Sequence, residues 1–272
     1  MEIKNLFPLK NSTIRNFDIY KMDVIENILN TFQPITLEEM DSVRLMNRTD
    51  TKYLFNYRHL ADILEQLTED FYVLDVDGVK INPYETVYYD TDDFYFYHQH
   101  QRGKMNRFKV RLRTYVTSNI HFFEIKHKNN KNRTLKVRIK RKEPKLDLGE
   151  KSSAFVESKI NMLATSLSPK LWANYSRITL VNKHQPERLT IDTQLFYKNN
   201  TSEKAFPEIV IAELKQDKNS KSAFSQLMHK LHISNTSISK YCFGVLFLYE
   251  NVRINNFKPK LLTFNKICND TL

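Results

Sequence analysis

The sequence predicts an α+β fold, a large antiparallel sheet with amphipathic helices packed on it, and three observations carry that expectation. The first is the stretch 107–142, which reads as three strands in succession: RFKVRLRTY, FFEIKHK and RTLKVRIKRK. The second is apolar spacing of helical period in several segments before and after it. The third is a shortage of glycine: only four occur, and none forms GxxxxGK[ST] or GxGxxG. The two common glycine-rich phosphate loops are therefore absent, and phosphate, if bound, must be held by side chains.

Successive side chains of a strand point to opposite faces. In the first strand Arg107, Lys109, Arg111 and Arg113 share one face, while Phe108, Val110 and Leu112 share the other. The second strand sets Glu124 and Lys126 against Phe123 and Ile125. The third sets Thr134, Lys136, Arg138 and Lys140 against Leu135, Val137 and Ile139. Half-buried sheets normally mix charges on the wet face, because like charges opposite one another destabilise a strand pair. Here residues 99–145 hold 16 Lys/Arg and two acids, a net of +14 in a chain of +11, so the remainder nets −3. Two cations about 6 Å apart repel by roughly 3 kcal/mol at an effective dielectric near 20. Such a face calls for a polyanion.

The other elements follow in chain order. Residues 18–31 place Ile19, Met22, Ile25, Ile28 and Leu29 on one helical stripe, which Pro34 ends. Thr36 and Glu39 form a capping-box pattern at the start of a short helix. Arg48, Asp50 and Lys52 share one face of a strand, and 57–68 reads as a second amphipathic helix. Residues 84–89 read as a strand ending at Asp90-Thr91, and 94–98 as a short extended segment. After Gly149, a helix is expected at about 153–165 with Phe155, Ile160 and Leu163 inward. Ser168-Pro169 reads as an N-cap with proline at the first helical position. A second strand group, RLTID at 188–192 and EIVIAELK at 208–215, echoes the first, since Glu213-x-Lys215 repeats the spacing of Glu124-x-Lys126. Residues 222–232 look helical, and 237–249 begins with a cap and continues as a buried helix or strand.

Composition sets outer limits. With 272 residues, 41% of them apolar, the chain can bury a large core, and no linker argues for separate domains. Cys242 and Cys268 cannot make a disulfide framework and suit a reducing cytosol. The N-terminus lacks the apolar core of a signal peptide. The longest apolar run, 241–249, is about half of a membrane span. The histidines show no HExxH or paired-cysteine spacing, so zinc is not expected.

The ordered set KY, YYDT, RFKVRLRTY, FEIKHK, KVRIK, YSR, RLTID, ELK and SKY resembles the polyphosphate polymerase (VTC) domain of the vacuolar transporter chaperone proteins. That domain belongs to the triphosphate tunnel metalloenzyme (CYTH-like) superfamily. The resemblance covers about 44–250, with 1–43 as a helical segment packing on that domain and 251–272 as a tail. It implies a closed antiparallel β-barrel tunnel with helices packed outside, apolar faces outward and cations inward. It also implies phosphate-binding roles for Lys52, Arg111, Arg113, Lys126, Lys136, Arg177 and Arg188. Strand alternation alone adds Arg138 to that set. Ser239 and Lys240 match the family's SK pair near the reacting phosphate, where Arg113 and Lys126 would act with them. Glu213 matches the metal-binding carboxylate, for Mn²⁺ or Mg²⁺, and Glu124 is a second candidate. RTDTK at 48–52 stands where the wider superfamily has ExExK, as in the polymerase branch.

The expected activity is transfer of the terminal phosphate of ATP, or another triphosphate, to a growing polyphosphate chain. A metal-dependent triphosphatase is the alternative. A cytoplasmic location is expected, at the inner face of a membrane if a separate membrane protein is its partner. A non-catalytic nucleic-acid or polyanion-binding module is the remaining reading. Phe108 and Phe123 speak against it, because they fall on the apolar face while base-stacking platforms need aromatic and basic groups together; nucleic acid is not an expected partner.

Overall fold

The computed structural model describes residues 12–42, 48–131, 133–217 and 222–269. The chain begins with helix α1 (Ser12–Thr31), the short strand β1 (Pro34–Ile35) and helix α2 (Leu37–Ser42). Strand β2 (Arg48–Asn56), helix α3 (Leu60–Glu65) and strands β3 (Phe71–Leu74) and β4 (Asn82–Asp90) follow. Next come helix α4 (Tyr95–Gln101), the three cationic strands β5 (Arg107–Tyr115), β6 (Ile120–Lys128) and β7 (Thr134–Arg141), and helix α5 (Gly149–Lys159). The last part holds β8 (Ser168–Asn182), β9 (Glu187–Lys198), β10 (Glu203–Phe206), β11 (Ile209–Asp217), α6 (Ala223–Lys230), α7 (Lys240–Leu248) and α8 (Lys258–Cys268).

All eleven strands form one sheet, whose main ladder runs β2-β11-β9-β8-β4-β5-β6-β7 and is antiparallel throughout. Its outer face carries two apolar layers. Tyr53, Phe55, Val210, Ala212, Leu214, Leu189 and Ile191 meet α1, α3 and α6, and Val87, Val110, Leu112, Phe123 and Ile125 meet α5. Burial of these alternating positions, at about 1.5–3 kcal/mol for a large aliphatic side chain, fixes which face looks inward, because a one-residue slip would expose all of them.

The sheet also curls. Lys126 on β6 and Glu213 on β11 act on each other's ionisation. Five steps of the ladder, roughly 24 Å at strand spacing, separate them along the sheet, beyond the reach of a screened charge. The inner face is therefore a trough in which β6 looks across at β11. The ladder does not close: among the described residues no hydrogen bonds join β7 to β2. The fully closed barrel is not met in that respect.

Other expectations need correction. Residues 94–98 are not extended but start α4, because the buried Asp90 carboxylate accepts hydrogen bonds from the Phe96 and Tyr97 amides, both 2.9 Å, and nucleates the turn. Ser168-Pro169 opens no helix and lies at the start of β8. Pro169, which has no N–H to donate, sits where the β4–β8 register shifts between Tyr88 and Tyr89. The helix expected at 153–165 is α5, four residues earlier, and Leu163 is 70% exposed. Leu135 and Val137 are exposed rather than covered by a helix. The capping box at Thr36 and Glu39 forms as expected, with Thr36 N–H donating to Glu39 at 2.8 Å and Glu39 N–H to Thr36 Oγ1 at 3.3 Å. The tail also contributes structure: Phe264 of α8 is fully buried, and Asn56 Nδ2 donates to Ile267 O at 2.8 Å.

Candidate functional site

Strand register decides which side chains share the trough. Directly paired residues lie side by side on one face. One row runs Leu171–Tyr88–Arg111–Glu124–Arg138 from β8 to β7, and the next runs Ala173–Thr86–Arg113–Phe122–Lys140. A third row is Lys109–Lys126–Lys136. On the other wall Thr179–Thr190–Glu213–Lys52 and Arg188–Lys215–Asp50 form rows, with Arg177 paired to Asp192. Lys52, Arg111, Arg113, Lys126, Lys136, Arg138, Arg177, Arg188, Glu124 and Glu213 thus all lie on this one inner face.

The rest of that face is apolar and covered. Leu54, Ile211, Tyr197, Ala173, Leu171 and Tyr88 pack with Tyr241, Cys242, Phe243 and Val245 of α7. The helix lies directly on β8 and β9, since a Cβ on Gly244 would collide with Leu171 and Tyr197. Tyr241 donates to Asp90, the same carboxylate that caps α4, so α4 and α7 are tied together. The N-terminus of α7 consequently opens at the cationic part of the trough. Ser239 is its N-cap, accepting from the Cys242 amide at 3.3 Å, and Lys240 reaches inward to Asp192.

Three carboxylates each bridge two cations. Glu124, fully buried, meets Arg111 Nη2 and Lys136 Nζ, both at 2.5 Å. Glu213 meets Lys52 at 2.9 Å and Lys215 at 3.1 Å, both through Oε1. Asp192 accepts from Arg177 at 2.6 and 2.8 Å and pairs with Lys240. Burial alone would raise all three carboxyl pKa values, yet the cations win. Arg111 and Arg113 hold Glu124 well below the usual range, Lys215 and Lys52 do so for Glu213, and Arg177 and Lys240 for Asp192.

Three other cations have no such partner. Lys109, Arg113 and Lys126 make no ion pair among the described residues. Burial brings the Lys109 ammonium down to about 8. The neighbouring charge of Arg111, then burial, pushes Lys126 well below the ordinary lysine value. Between the walls lies an aromatic pair, Tyr84 and Tyr175, stacked with centroids 5.4 Å apart. Arg177 lies 4.9 Å from the Tyr84 ring centre, Arg113 5.6 Å from it, and Lys240 4.4 Å from Tyr175. These contacts hold cations in place over ring faces. The Tyr175 hydroxyl is buried with no hydrogen-bond partner among the described residues.

Sequence reasoning missed Asp192, Lys215 and Tyr175 as members of the site, whereas Lys109 lies on the cationic face where alternation puts it. The signal for each missed residue was present: Asp192 and Lys215 alternate with Arg188 and Glu213, and Tyr175 with Arg177. Glu124 has both oxygens engaged by cations. Glu213 is partly exposed and ionised, and one carboxylate completed by phosphate oxygens and water is a normal setting for Mg²⁺ or Mn²⁺. No cluster of three or more His, Cys, Asp or Glu side chains occurs among the described residues, so an all-protein metal cage is not available there. Both cysteines are free thiols, and no described helix is long and apolar enough to cross a membrane.

Solved structures similar to this one include a candidate adenylyl cyclase from Hippeastrum with dominant triphosphatase activity. It is 10% identical, covers 76% of this chain and 98% of its own, and superposes with a TM-score of 0.51. A candidate adenylate cyclase from Bacillus halodurans is 15% identical over 75% of this chain and all of its own, with a TM-score of 0.49. A search of curated protein sequences gives no significant match. At such identities the likeness speaks to fold alone. The VTC domain family model, however, matches residues 47–249, a span that includes every wall of the trough, and this chain belongs to the VTC domain family.

Proposed function

We propose that the protein is a metal-dependent polyphosphate polymerase that works inside a tunnel formed by the trough. The observation that supports it is the set of inward cations that make no ion pair among the described residues, Lys109, Arg113 and Lys126, beside three pre-formed carboxylate clamps. An uncompensated buried cation is costly, and a polyphosphate with its dense negative charge offsets that cost. In this reading the terminal oxygen of a polyphosphate chain attacks the γ-phosphorus of ATP, the bond to the bridging oxygen breaks, and ADP leaves. The transition state is largely dissociative, so the protein contributes placement and charge. Arg111 and Arg113 fork onto phosphate oxygens, and Lys52, Lys126, Lys136, Arg138, Arg177 and Arg188 fix the rest of the chain. Asp192 holds Lys240 and Arg177 ready, and Ser239 and Lys240 sit where the α7 N-terminus meets the reacting phosphate. Glu213 is the residue suited to hold Mn²⁺ or Mg²⁺, which would neutralise charge on the triphosphate oxygens.

A triphosphatase is the second reading, favoured by α7 covering one part of the inner face and by the triphosphatase activity of the Hippeastrum protein of similar fold. The test is the purified protein with ATP and Mn²⁺, products resolved by chain length. A ladder of polyphosphates is expected. Orthophosphate and ADP with no polyphosphate would select the triphosphatase, and no turnover of ATP would overturn both.

A further inference from the structure

The cationic inner face does not end where the trough is enclosed. Arg111 and Arg113 on β5 are buried, and on β6 Glu124 is buried while Phe122, Lys126 and Lys128 are half-buried. On β7 the same rows emerge into solvent, with Lys136, Arg138 and Lys140 exposed. The charge is thus graded outward along one continuous surface. Lys136 still belongs to the enclosed part through Glu124. Arg138 lies over Phe122, its guanidinium carbon 4.1 Å from the ring centre, with no carboxylate partner among the described residues. Lys140 is paired in register with Phe122 and extends the line past Arg138, two rows from Lys109, Lys126 and Lys136. The second edge of β7 has no strand on it among the described residues.

An exposed edge strand with cations at every second position and no acid between them repels itself, and a second copy of the same strand would repel it too. Its complement is a linear polyanion. We infer that β7 is an open track on which a polyphosphate longer than a triphosphate leaves the trough, passing over Arg138 and Lys140. This inference rests on the phosphate reading of the trough and adds the route and the preference for length. A single-stranded nucleic acid fits the same charge less well, because Phe122, the aromatic ring on this surface, is already covered by the Arg138 guanidinium.

The experiment compares binding of tripolyphosphate and of a long-chain polyphosphate fraction to wild type, Lys140→Glu and Lys151→Glu. Lys140 is exposed on an edge strand, so the fold should tolerate the change, and equal melting temperatures are checked first. Lys151 lies on α5, on the other face of the sheet, and controls for lost net charge. For Lys140→Glu the long chain should bind about 3- to 10-fold more weakly, while tripolyphosphate changes by under about twofold and Lys151→Glu has little effect on either. Equal losses for both ligands, no loss for either, or the same loss in Lys151→Glu would overturn the track. So would a Lys140 dependence found for a single-stranded oligonucleotide and not for long polyphosphate. Failure of tripolyphosphate to bind wild type would instead remove the phosphate reading of the trough itself, and the track with it.

Discussion

Glu124 and Glu213 occupy matching places in their motifs but sit in different surroundings, and the difference predicts opposite responses to the same substitution. Glu124 is fully buried between Arg111 and Lys136. Glu124→Gln should leave both cations uncompensated and cost about 3–5 kcal/mol of stability, read as a lower denaturation midpoint, with anion affinity raised. A Glu124→Gln protein of wild-type stability whose metal dependence has changed would make Glu124 a ligand instead. Glu213 is partly exposed with its ion pairs on one oxygen. Glu213→Gln should reduce turnover by orders of magnitude while tripolyphosphate still binds. Arg113→Ala should weaken binding itself by roughly 10- to 150-fold, the value of one charge-assisted hydrogen bond. Wild-type turnover and unchanged metal dependence in Glu213→Gln would remove that residue from the site. At this scale the sequence was legible to the extent that alternation sorts side chains by face. It could not show which carboxylate is exposed, because Glu124 and Glu213 share the same Glu-apolar-Lys spacing and differ in what the sheet folds over them.

The element that most shapes the trough is α7, and its position depends on one residue without a side chain. Gly244 lets the helix approach β8 and β9 until Leu171 and Tyr197 fill the space a Cβ would take. Gly244→Ala should therefore destabilise by about 1–3 kcal/mol, although alanine is the better helix former. Because α7 carries Ser239 and Lys240 at its N-terminus, the same change should reduce turnover more than tripolyphosphate binding. A stabilised, fully active Gly244→Ala protein would show that α7 is not seated this way. Strands β5 and β6 were readable because apolar and charged residues alternate along them, and β11 because its apolar run ends in the alternating Glu213-x-Lys215. The errors at 94–98 and at Ser168-Pro169 have a common cause. Each local signal was overridden by a distant partner: Asp90 capping α4 in one case, and β4 claiming β8 in the other. The open β7–β2 seam was equally invisible, since it is a relation between two strands far apart in sequence, β2 ending at Asn56 and β7 starting at Thr134.

For the whole molecule, the trough without an anion is a store of unfavourable charge, and pH should reveal it. Glu124, Asp192 and Glu213 are held ionised, so their stabilisation is fully present above the ordinary carboxylate range and is lost only as pH falls well below it. They contribute no slope near neutrality. Lys109 and Lys126 do. Their folded-state values lie below the free lysine value, Lys109 at about 8, so near that pH the unfolded chain binds more protons than the folded one. Stability of the protein without anion should accordingly rise as pH increases from about 7 to about 8.5. An anion in the trough reverses the preference by favouring the charged lysines. Sulfate, which does not titrate in this range, should raise the melting temperature by linkage: at about 100 times its Kd the gain is about 2.7 kcal/mol, or roughly 5 °C for a chain of this size. That gain should shrink as pH rises through about 8, because binding then has to take up the protons that Lys109 and Lys126 have lost. Melting curves with and without sulfate at several pH values, for wild type and Lys109→Met, provide the check. In Lys109→Met the pH dependence of the sulfate gain should flatten. A sulfate effect independent of pH in the wild type, or no effect at millimolar anion, would mean that the inward cations do not form an anion site.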